Sequence, residues 1–197
     1  GGVSFLKSCH KGRLPVSPRL IFCRPSQRWD ELLQHLPALL ESLGRRGQPQ
    51  RVRSLCDWGI EALDALPPST EKNKERLHLL ELRADASDQL GDRKRQRADL
   101  DALSELIDDP DEEPSTTGRI YLLHARHAAA TGSSGIARGL LRNSIAFLKR
   151  TNLAAPLSDA RRRLAEVHAQ AGDLGRARRS ARKALLVAPN DLLRGQA

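Results

Sequence analysis

A chain of 197 residues with net charge +9, 3% aromatic residues and no methionine fits one domain, two small ones or a short repeat array. Its Leu-, Ala- and Arg-rich composition favours helices over a sheet. No apolar run approaches the roughly 18 residues of a membrane helix, and the three cysteines, Cys9, Cys23 and Cys56, imply no disulfide framework and suit a reducing cytoplasm.

The positive charge lies at the two ends. Residues 1–53 carry +7, residues 54–156 carry −3 and residues 157–197 carry +5. The first 25 residues read as a leader. VSFLKSCHKGRLPVSPRLIF has two short apolar patches around His10-Lys11-Gly12, which suits a hairpin, while Pro15 and Pro18 count against a long strand. VSFL is too short for the apolar centre of a signal peptide. Cys9, His10 and Cys23 lack the paired ligand spacing of a zinc site.

From residue 26 the apolar period becomes helical. The spacing predicts helix pairs over 26–46 with 49–65, 71–90 with 92–107, 117–131 with 134–150, and 158–171 with 174–187. Pro49 fits the first turn of its helix, whereas Pro37 is expected to kink or split the helix before it. LPPST (66–70), DDPDEEPSTTG (108–118) and TNLAAP (151–156) read as links. Residues 26–191 form the repeat region, and 192–197 form a tail.

The pairs share one timetable. Gly47, Gly91, Gly132 and Gly172 are separated by 44, 41 and 40 residues, which marks an internal repeat. Seven residues before each glycine stand Leu40, Ala84, Ala125 and Ala165; five after stand Val52, Gln96, Ala137 and Ala177; twelve after stand Gly59, Leu103, Ser144 and Ala184. A glycine can end a first helix in the left-handed conformation, and Asp92 and Asp173 can cap the second helix with their carboxylates. Small residues at the crossing let two backbones approach closely. Pro189 stops the last unit.

With Leu164, Ala165, Gly172, Ala177, Ala184 and Pro189, the last unit resembles the tetratricopeptide repeat family; the earlier units match it in part, the first loosely. The resemblance implies an all-α fold, a right-handed α-solenoid of about four antiparallel helix pairs. Intervals longer than the family's roughly 34 residues imply extended helices or links. KGRLPVSPRLIFCRPSQRWDELLQHLPALLESLG resembles the junction in large bacterial signalling ATPases where a winged-helix element precedes such an array.

Residues with catalytic or metal-binding potential are few. GSSGIARG (132–139) has glycines without the Gly-Lys-Ser/Thr of a P-loop and reads as a helix-pair turn. His124 and His127 share a helix face and could touch one ligand. DDPDEE lacks the spaced ligands of a calcium loop and reads as a solvated link. The expectation is a non-enzymatic, cytoplasmic scaffold without cofactor or metal, part of a larger regulatory protein. The family resemblance places a protein or peptide partner in the groove lined by the first helices. Counting back from each glycine, groove candidates are Glu81, Asp85 and Asp88, then Arg119, Leu122 and Arg126, then Arg162, Glu166 and Ala169. The acidic-to-basic change would orient a partner of mixed charge, and Arg126 and Arg162 could hold its carboxylates. The alternative is a nucleic-acid-binding repeat using Arg161, Arg162, Arg163, Arg176, Arg178, Arg179, Arg182 and Lys183, although aromatics for base stacking are nearly absent.

Overall fold

The computed structural model describes residues 29–188 apart from 68 and 108. The expected leader, the tail and the stop at Pro189 lie outside the described residues.

Eight helices follow one another: α1 (Trp29–Arg45), α2 (Pro49–Asp64), α3 (Thr70–Gln89), α4 (Arg93–Glu105), α5 (Pro114–Ala130), α6 (Ser134–Leu148), α7 (Ala154–Gln170) and α8 (Leu174–Leu185). Among the described residues there is no strand. The protein is all-α, in four antiparallel pairs.

The same turn closes every pair. Gly47, Gly91, Gly132 and Gly172 all have positive φ, between 60° and 81°, the left-handed region that costs a residue with Cβ most. Each forms the two bonds of a Schellman motif. At the second turn Gly91 N–H donates to the Asp88 carbonyl at 3.0 Å and Asp92 N–H to the Ser87 carbonyl at 2.9 Å; at the fourth, Gly172 N–H reaches Ala169 and Asp173 N–H reaches His168, both at 2.9 Å. The next residue starts the second helix. Asp92 accepts from Arg95 N–H at 3.2 Å and Asp173 from Arg176 N–H at 2.9 Å, the expected caps.

The starts of the first helices differ from expectation. The α5 helix begins at Pro114 and α7 at Ala154, three and four residues earlier than predicted. Pro114 and Pro156 lie within the expected links, yet both stand in the first turn of a helix, where a proline removes only an N–H that has no intrahelical partner. Pro37 does not split α1. It is exposed, so water can satisfy the carbonyl that lacks its partner.

The timetable positions are all interior. Ala84, Gln96, Leu103, Ala125, Ala137 and Ser144 are fully buried, and Leu40, Val52, Gly59, Ala165, Ala177 and Ala184 are buried as well. The helices of the third pair cross closely. The Ser144 hydroxyl donates to the Gly118 carbonyl at 2.7 Å, and a Cβ built on Gly118 would stand 2.6 Å from Leu148 Cγ. The core divides along α5. Ile120 and Leu123 join the apolar cluster of the first two pairs, whereas Leu122, Ala125 and Ala128 join that of the last two. Each helix packs on its sequence neighbours, and α3 also touches α5, which touches α7. The first helices of the last three pairs therefore lie side by side.

Candidate partner-binding surface

On α3, Glu81, Asp85 and Asp88 are spaced i, i+4, i+7, which places them on one face of the helix; Arg119 and Arg126 share one face of α5 by the same rule. Because α3 and α5 touch, the two faces meet. Arg119 Nη2 lies 3.0 Å from Glu81 Oε2. The Arg126 guanidinium is held by Asp85 through Nη1 and by Asp88 through Nη2. Asp88 also accepts from Arg93 of α4, and Arg93 donates to Gln96 Oε1 at 2.8 Å.

Burial and pairing compete at these carboxyls. Burial pushes Glu81 up to about 7 against the opposing charge and hydrogen bond of Arg119. Its second oxygen, Oε1, is buried and unpartnered. At Asp88 burial acts upward too, but hydrogen bonding by Arg93 and the charge of Arg126 outweigh it and hold the carboxyl below its usual range. Burial lowers Arg126 less than Asp85 and Asp88 raise it.

Several groove candidates are therefore corrected. Glu81 is 7% exposed and Leu122 7%; the first is enclosed where α3 meets α5, the second in the core of the last two pairs. The side chains of Arg126 and Asp88 are 13% and 14% exposed. Arg126 is not a free cation awaiting a partner's carboxylate, because this chain already supplies two. Arg162 is also engaged, by Asp159 and Glu166 of its own helix, but that triad faces water. Asp85, Arg119, Arg162, Glu166 and Ala169 retain solvent access. Counting from the glycines gives the rotation of each helix, but not which neighbour covers each turn of it.

His124 and His127 do not converge on one ligand. His124 Nε2 meets the Ser104 hydroxyl at 3.0 Å, and His127 Nδ1 meets Gln96 Oε1 at 3.1 Å. Burial, then nearby arginines, lower both imidazoles. Among the described residues no three His, Cys, Asp or Glu cluster as metal ligands. GSSGIARG forms the turn into α6 and the first part of that helix. In the acidic link, Asp111 pairs with Arg150 at 2.5 Å.

A second polar network was missed in the sequence. Arg83 of α3 reaches Asp57 of α2 at 2.8 Å and Asp99 of α4 at 2.7 Å, and Arg95 reaches Asp57 at 2.6 Å. Burial raises the Asp99 carboxyl despite Arg83. Gln96, Asp99, Leu100 and Leu103 follow the i, i+3, i+4, i+7 stripe of a buried face. A carboxylate within that stripe was the readable sign of an internal ion pair. Beside this network the Cys56 thiol is fully buried, and burial pushes it up to about 12.

No family model and no curated protein matches the chain. Among solved structures it is similar to the crystal structure of BtubC (BKLC) from P. vanneervenii, with a TM-score of 0.65 and 16% identity, over 86% of this chain and 67% of that one. At that identity the likeness is one of fold. Among the described residues no helix is long and apolar enough to cross a membrane.

Proposed function

We propose that the chain is a tetratricopeptide-like α-solenoid scaffold, without catalytic activity, that binds a protein segment along the first helices of its pairs. The observation that carries this reading is the side-by-side line of α3, α5 and α7, built by a turn repeated four times with one geometry. Such stacking of helix pairs makes an extended surface that a peptide can follow. Asp85, Arg119, Arg162 and Glu166, 37–53% exposed, give it mixed charge and a means of orienting its partner. Residence in the cytoplasm within a larger bacterial regulator belongs to the same proposal and rests on the resemblance of the array and its leader.

A photo-crosslinking residue at Ala169, beside this surface, tests the reading. It should trap a discrete protein partner in cells, and the same residue at Arg178 on α8 should not. Arg162→Glu with Glu166→Lys should abolish the crosslink and leave helix content unchanged. Trapping from position 178 alone, with the adduct being RNA or DNA, would favour the nucleic-acid alternative.

A further inference from the structure

The α6, α7 and α8 helices enclose an open cleft of about 580 Å³, within the roughly 300–1,000 Å³ of ligand clefts. Four cations border it: Arg142 from α6, Lys149 directly after its end, Arg161 from α7 and Lys183 from α8. Among the described residues no carboxylate lines it. Among the described residues none of the four has an ion-pair partner, and Arg161 alone makes a side-chain hydrogen bond, to the Lys183 carbonyl at 2.9 Å. Between the cations lies an aliphatic floor of Ile145, Leu164 and Val187, and Leu186 stands beside it 79% exposed.

Each feature limits the occupant. Four unpaired cations around a low-dielectric floor call for carboxylates, because ion pairs gain strength where water is excluded. Ile145, Leu164 and Leu186 call for branched aliphatic side chains between those carboxylates. Among the described residues no aromatic lines the cleft, so they provide no stacking platform of the kind found in a single-strand nucleic-acid groove. A concave floor with a charged rim fits a ridge of side chains better than a flat lipid surface. Arg161 and Leu164 face this cleft, whereas Arg162 and Glu166 lie around α7 on the side of the proposed groove.

We propose that this cleft docks an acidic amphipathic peptide, with leucine-like side chains on the aliphatic floor and Asp or Glu on the four cations. It is a second surface, independent of the α3–α5–α7 line.

Fluorescence anisotropy of a labelled synthetic peptide of repeated Glu-Leu-Leu-Glu, titrated with the full chain, tests the proposal. Binding should saturate. Arg142→Glu and Lys183→Glu, at exposed side chains with no partner to lose, should each weaken it about tenfold, as expected for a charge reversed against a complementary ligand. Leu186→Asp should weaken it comparably, and circular dichroism should stay unchanged in all three. Arg162→Glu should have no effect, which separates this cleft from the groove. Equal affinity for an all-Glu peptide or for duplex DNA would overturn the proposal. So would loss of binding in Arg162→Glu alone, or a failure to saturate. Saturation that appears only in Leu192→Asp/Leu193→Asp would overturn it in favour of the chain's own C-terminal residues as occupant.

Discussion

Replacing Arg126 with Met separates an internal clamp from a surface charge. In the native chain the Arg126 guanidinium bridges Asp85 and Asp88 across the contact between α3 and α5, 13% exposed. Breaking a buried ion pair by removing one partner costs about 3–5 kcal/mol, because the remaining charge is left uncompensated. Two facts reduce that here. Asp88 keeps Arg93, and Asp85 is 37% exposed and keeps its hydrogen bond from Gln89. The expected loss is therefore about 2–3 kcal/mol, below the fully buried limit. Arg162→Met also removes a guanidinium shared by two carboxylates, but all three groups lie on the surface of one helix, where such pairs contribute about 0–1 kcal/mol. Urea denaturation followed by circular dichroism at constant m-value gives both losses. Asp85→Asn/Asp88→Asn in the Arg126→Met background should recover part of the first, since the paired groups are not additive. Equal midpoint shifts for Arg126→Met and Arg162→Met, or no recovery, would refute the clamp.

Glu81 gives a pH test. Its folded value, about 7, lies above the ordinary 4.5, so ionisation favours the unfolded chain and its cost grows as pH rises from 4.5 through 7. Relative to the native chain, Glu81→Gln should gain stability across that window, by at most roughly 3 kcal/mol; a difference that does not change with pH would count against it. Ala177→Leu and Ala184→Phe should each destabilise the last pair by about 1–3 kcal/mol through overpacking, and exposed Arg178→Leu by far less. Thermal melts showing equal shifts would mean a wrong helix register. Gly118→Ala should lower stability because its Cβ would meet Leu148 at 2.6 Å, whereas Gly139→Ala, in open space inside α6, should raise it by up to about 1 kcal/mol. The opposite order in thermal denaturation would contradict the packing at the third crossing.

The sequence by itself determined the turns and the register within each pair. Gly91 and Gly172 announce a left-handed residue, the aspartates after them announce caps, and Ala84, Ala125, Ala177 and Ala184 announce close contact. These are local effects, in which each residue acts on its own turn or on the facing helix a fixed distance away in sequence. Tertiary structure decided what covers the outer faces. Arg126 meets Asp85 and Asp88 only because α5 lies against α3, across the whole second turn and α4. Arg83 joins Asp57 to Asp99 only because α2, α3 and α4 are neighbours. The same holds for Leu122, whose buried position depends on α5 facing two cores at once. A charged residue on a helix reads alike in the sequence whether it will meet water, a partner or its own chain. Packing between helices selects among those fates, since burying a cation is tolerable only where another element supplies its carboxylate.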